Sequence, residues 1–100
     1  MFEINQQLST GTLTSSRTQR VVGPFDASVT GAFTADKIEL KRKAVDDDDS
    51  LAQVVQTWYD AFTVNGQANG GTGWEYWFVA TNLTAGTPLV RLNVPDARLR

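Results

Sequence analysis

Apolar and polar residues alternate in short runs along most of this 100-residue chain, and that period of two belongs to a half-buried β-strand. In the first run Phe2, Ile4 and Leu8 fall on one side and Glu3, Asn5 and Gln7 on the other, with a lapse at Gln6. Gly11 breaks it. From Thr12 to Arg20 both faces are mostly polar, with Thr12, Thr14, Ser16 and Thr18 set against Ser15, Arg17 and Gln19. A segment without an apolar face gains little from burial, so it reads as an edge strand or an extended arm. After Gly23-Pro24 the alternation returns, with Phe25, Ala27, Val29, Gly31 and Phe33 opposite Asp26, Ser28, Thr30 and Ala32. Ile38 and Leu40 then point one way, and Lys37, Glu39, Lys41 and Lys43 the other. The short spacing between these two runs predicts an antiparallel hairpin about Thr34-Ala35-Asp36.

Asp46 to Asp49 must be solvated, and they end that element. The next stretch, Ser50 to Phe62, fits two descriptions. At helical period Leu51, Val54, Val55, Trp58, Tyr59 and Phe62 share a face, and Ser50 with Gln53 would form a capping box. At period two Trp58, Phe62 and Val64 alternate with Tyr59, Ala61 and Thr63, and the β-branched and aromatic content suits strands. The glycine-rich stretch from Gly66 to Gly73 reads as a loop. Beyond it Trp74, Tyr76, Phe78 and Ala80 alternate with Glu75, Trp77, Val79 and Thr81. Val90, Leu92 and Val94 alternate with Leu89, Arg91 and Asn93, between Pro88 and Pro95. Short strands separated by turn signals predict an all-β fold. The expected form is a small antiparallel β-sandwich or barrel, Ig-like or jelly-roll-like, with one short helix within 50–62 left open. Residues 1–20 would be an N-terminal strand and arm, and 21–100 a single sandwich domain.

Composition narrows the chemistry. The chain has no histidine and no cysteine, which removes the commonest general base, the commonest metal ligand, the thiol nucleophile and the disulfide. Its 41% hydrophobic and 20% charged content is that of a globular protein. A formal charge of -2 gives no overall attraction to nucleic acid or anionic membrane. No apolar stretch reaches the ~20 residues that cross a bilayer, and the first residues lack the basic and apolar regions of a signal peptide.

Several residues invite a chemical role. Asp46 to Asp49 lack the alternate ligand spacing of a calcium loop, and Leu51 and Thr57 stand where that loop needs Gly and Glu. Glu39, Asp60 and Glu75 are conceivable acid–base carboxylates, but nothing pairs them, and Glu39 and Glu75 fall on outward faces. Gly70-Gly71-Thr72-Gly73 lacks the phosphate-binding pattern and precedes a strand. Lys37, Lys41, Arg42 and Lys43 form the one basic cluster, and the neighbouring aspartates cancel its potential for nucleic acid. Trp58, Trp74, Tyr76 and Trp77 are the strongest binding candidates. Trp74 and Tyr76 share the face of Phe78 and read as core. Trp77 lies opposite and needs cover from a wrapped sheet edge, a neighbouring subunit or a stacked sugar. Asn82-Leu83-Thr84 matches a glycosylation sequon and reads as coincidence.

From Phe25 to Val94 the order and spacing of several pieces resemble the small β-sandwich structural proteins of tailed bacteriophages. The pieces are Val29-Thr30-Gly31-Ala32-Phe33, Ile38-Glu39-Leu40-Lys41-Arg42, Asp46 to Asp49, Trp58, Phe62-Thr63, Asn65-Gly66 and Arg91-Leu92. The resemblance implies two strands rather than a helix in Ser50 to Phe62, symmetric assembly, a virion location after synthesis in the host cytoplasm, and no catalytic residues. The expected function is a non-enzymatic structural protein attached to the capsid surface, without cofactor or metal. A head–tail connector or neck component, and a carbohydrate-binding module using an exposed Trp, are the alternatives. The expected partners are major capsid or other virion proteins and further copies in a trimer or larger homo-oligomer, without nucleic acid or membrane. Phe2, Ile4, Leu8, Arg17, Arg20, Lys41, Lys43 and Trp77 are the candidate interface residues. An apolar strand on a polar tether suits addition to a neighbour's sheet, so removing residues 1–20 should abolish association and leave a folded monomer.

Overall fold

Strands form wherever the alternation finds a second apolar face to cover its own. The computed structural model describes residues 3–18, 23–67 and 73–94, with backbone alone for 62–67. One antiparallel sheet contains β1 (Glu3–Gln7), β2 (Pro24–Thr30), β6 (Phe62–Gln67) and β9 (Leu89–Asn93), in the order β1-β9-β2-β6. A second holds β4 (Lys37–Ala44), β5 (Gln53–Trp58) and β7 (Trp74–Thr81), in the order β5-β4-β7. The short β3 (Phe33–Thr34) and β8 (Ala85–Gly86) pair as a two-stranded ribbon. The fold is all-β.

The inner faces meet in one core. Ile4, Ala27, Val29, Val90 and Leu92 come from the first sheet, and Ile38, Leu40, Trp58, Tyr76, Phe78 and Ala80 from the second. Trp58 packs on Phe78 with ring centroids 5.8 Å apart, and Phe25 reaches across to Tyr76 at 5.5 Å. Each such side chain contributes about 1.5–3 kcal/mol when fully removed from water. Leu8, beyond the end of β1, is sealed into the same cluster.

The ambiguous stretch is resolved as strands. Residues 53–58 are β5 and 62–67 are β6, and among the described residues the helical content is one 3-10 turn at Asp49–Leu51. No side-chain capping bond starts that turn. The hairpin expected about Thr34-Ala35-Asp36 does not form, because β2 and β4 lie in different sheets. Residues 31–36 instead cross between the sheets, held by the pairing of Phe33 with Gly86 and of Thr34 with Ala85. Alternation reports which face of a strand is buried; it carries no information about which strand lies alongside.

Residues 3–18 belong to the folded body. β1 pairs with β9 over its whole length, from Glu3 opposite Asn93 to Gln7 opposite Leu89. A turn closed by Ser9 and Thr12 then carries the chain across to β7.

Candidate interaction site

β7 offers its outer N–H and C=O groups to the polar N-terminal segment. Ala80 N–H donates to the Leu13 carbonyl at 2.8 Å, Ser15 N–H to the Phe78 carbonyl at 2.9 Å, and Thr18 N–H to the Tyr76 carbonyl at 3.0 Å. The reciprocal bonds use side chains. Phe78 N–H donates to Ser15 Oγ at 2.9 Å and Tyr76 N–H to Thr18 Oγ1 at 3.0 Å. Hydroxyls thus stand where strand carbonyls would, and three residues of the segment span two of β7. Buried donors must be paired, and the segment supplies acceptors without adopting a regular strand.

This docking brings Arg17 over the outer face of the second sheet. Its Nη1 donates to Asp49 Oδ1 at 3.0 Å and to Glu75 Oε1 at 2.8 Å, and its Nη2 to Asp49 Oδ2 at 2.9 Å. The guanidinium lies 4.1 Å from the Trp77 ring centroid. Trp77 is only 4% exposed; a wrapped edge of its own chain supplies its cover, so its ring face is not presented to a sugar. Lys43 completes the cluster, with Nζ 2.6 Å from the Asp47 carbonyl and 3.4 Å from Asp49 Oδ1. The Arg17 hydrogen bonds hold the Asp49 carboxyl at about 2, below its ordinary value, and the carboxylates push the Arg17 value up. Hence the acidic turn is tied to the sheet by Arg17 and Lys43, and no group of three metal-ligating side chains occurs among the described residues.

The other candidates are dispersed. Ile4 and Leu8 are inside the chain's own core, at 2% and 0% exposure, so their apolar surface is already used. Phe2 and Arg20 lie outside the described residues. Lys41 sits on the outer face, opposite Trp77 on one side and Val54 on the other. Glu39, also outward, is nearly buried and 3.7 Å from Lys37. Glu39 and Glu75 are engaged with separate cations, Lys37 and Arg17.

Arg42 has inner-face parity with Ile38 and Leu40, and its guanidinium lies 4.3 Å over Trp74. Its Nε and Nη1, and the Tyr76 hydroxyl, are buried without hydrogen-bond partners. Burial pushes the Tyr76 phenol up, against the opposing influence of Arg42.

A different feature stands out on the surface. Leu51, Val54 and Tyr59 are 60%, 51% and 67% exposed, and with Leu13 they are the exposed large hydrophobics among the described residues. All three lie in or beside β5, which pairs with β4 on one side and with no described strand on the other. Between Ser50 and Tyr59 there is no charged residue and no proline. Sheet edges are ordinarily guarded by such residues. The sequence signal was that ten-residue gap in charge, masked by the helical period that placed Leu51, Val54 and Tyr59 on a buried face.

Among the described residues no helix is long and apolar enough to cross a membrane. Compared with protein families, with curated proteins and with solved structures, the chain matches none.

Proposed function

We propose that this chain is a non-enzymatic structural protein of a bacteriophage virion, a β-sandwich that attaches to the capsid surface. The observation that carries the assembly part of this reading is the charge-free strip of Leu51, Val54 and Tyr59 on an unpaired sheet edge. Exposed apolar side chains gathered along one element suit contact with another protein, and an open edge adds main-chain hydrogen bonds to it. The virion assignment is supported by the order of sequence pieces that resembles phage sandwich proteins. The strip replaces the N-terminal strand as the contact surface, because Ile4 and Leu8 are occupied within the chain.

Co-sedimentation with purified capsids of tailed phages tests the reading. The intact chain is expected in the capsid pellet, and Val54→Glu in the supernatant. An intact chain that stays in solution with every capsid tried would overturn it.

A further inference from the structure

We infer that Arg42 and Tyr76 form a binding site for a small oxyanion, a carboxylate or a phosphate, at one end of the sandwich interior. The two residues are directly opposite in the β4–β7 pairing, on the face that carries Leu40 and Phe78. Phe25 of the first sheet packs on the Tyr76 ring at 5.5 Å, and the Arg42 guanidinium lies 4.3 Å from the Trp74 ring centroid. Tyr76 is 0% exposed, yet its hydroxyl has no hydrogen-bond partner, and neither have the buried Nε and Nη1 of Arg42.

Buried polar atoms are paired with few exceptions. A guanidinium does not lose its proton in a protein, so its charge has to be balanced where it stands. The face of Trp74 offsets only part of that charge. No carboxylate among the described residues pairs with it: Glu39 lies by Lys37, Glu75 by Arg17, and Asp49 by Arg17 and Lys43. Lys43, withdrawn from water to 8% exposure, shows the usual remedy, with the Asp47 carbonyl and the Asp49 carboxylate in reach. Water would accept from the Arg42 N–H groups and leave the charge unbalanced. An oxyanion does both, through charge-assisted hydrogen bonds from Arg42 and a further one from the Tyr76 phenol. Burial raises the pKa of that phenol, which keeps its proton available. The site borders solvent, because the β4–β7 ladder ends one inner pair further on, at Ala44 and Trp74. Arg42 and Trp74 are themselves half-buried, so a side-chain shift within the cluster admits the anion.

Titration of the intact chain with inorganic phosphate, with acetate, and with chloride at matched ionic strength tests the site by NMR. Phosphate strengthens folded states in general, so the readout is the Trp74 indole N–H signal, identified by its loss in Trp74→Phe. In the parent that signal should move saturably with phosphate or acetate and not with chloride. Saturation by acetate alone names a carboxylate ligand, and by phosphate alone a phosphate. Arg42→Met keeps a long side chain, removes an unpaired buried charge and should weaken binding about ten-fold or more. Tyr76→Phe keeps the ring in the core and should weaken it about three-fold or more. Either variant decides the matter if the other does not fold. A Trp74 signal that neither oxyanion moves saturably, or undiminished affinity in a folded Arg42→Met or Tyr76→Phe variant, overturns the site.

Discussion

Ser15 and Thr18 each do with a hydroxyl what a strand residue does with a carbonyl, and this decides how the N-terminal segment is held. Their oxygens accept from the N–H groups of Phe78 and Tyr76, two residues with 0% exposure. Replacing Ser15 by Ala leaves the Phe78 N–H buried without an acceptor, a loss of about 1–3 kcal/mol. Thr18→Val acts in the same way at Tyr76, whereas Thr18→Ser retains the oxygen and should cost much less. Urea denaturation of the three variants measures this, and equal stability for Ser15→Ala and the parent would contradict the geometry. Asp49 supplies a second prediction at this scale. Its carboxyl is depressed to about 2 by hydrogen bonds from Arg17. The folded state therefore holds the charged form more strongly than the unfolded chain does. Stability from this group is present above its ordinary value near 3.8 and is lost as pH falls through about 2. A carboxyl carbon NMR titration should give a midpoint near 2 for Asp49 in the parent, and a higher one in Arg17→Gln. An unchanged midpoint in that variant would remove Arg17 as the cause.

Strands were legible as elements where an apolar face was clear. The runs through Phe25 and Val29, through Ile38 and Leu40, through Tyr76 and Phe78, and through Val90 and Leu92 are all strands with those faces buried. Pairing was not legible, since β2 finds β6 and β9 while β4 finds β5 and β7. The local spacing about Ala35 pointed to a hairpin, and long-range contacts across the sandwich prevailed. Residues 12–18 were readable as an edge from their polarity, but polarity also fits a free tether. The deciding bonds join Ser15 and Thr18 to residues about 60 positions away, beyond any local pattern. Trp77 shows the same limit. Its outward parity was readable, whereas Arg17 arriving over its ring required the three-dimensional path of the arm. In and beside β5 the helical period hid the exposure of Leu51, Val54 and Tyr59, because a period identifies a face only when the element type is known.

At the scale of the whole molecule, the chain passes repeatedly between the sheets, and two of these passages, from β1 to the segment along β7 and from β5 to β6, are finished differently. The first is closed by hydroxyls and by the Arg17 cluster. The second leaves β5 with an open side, an uncharged sequence and apolar side chains in water. A molecule built this way is held together by its own core and leaves one rim uncovered. The most direct measurement is amide hydrogen exchange, residue by residue, with and without purified capsids of tailed phages. The outward-facing amides of β5 should become protected only when capsids are present, while those of Tyr76 and Phe78 are protected throughout. Exchange at β5 that is the same with and without capsids, or rapid exchange at Tyr76 and Phe78, would contradict the account.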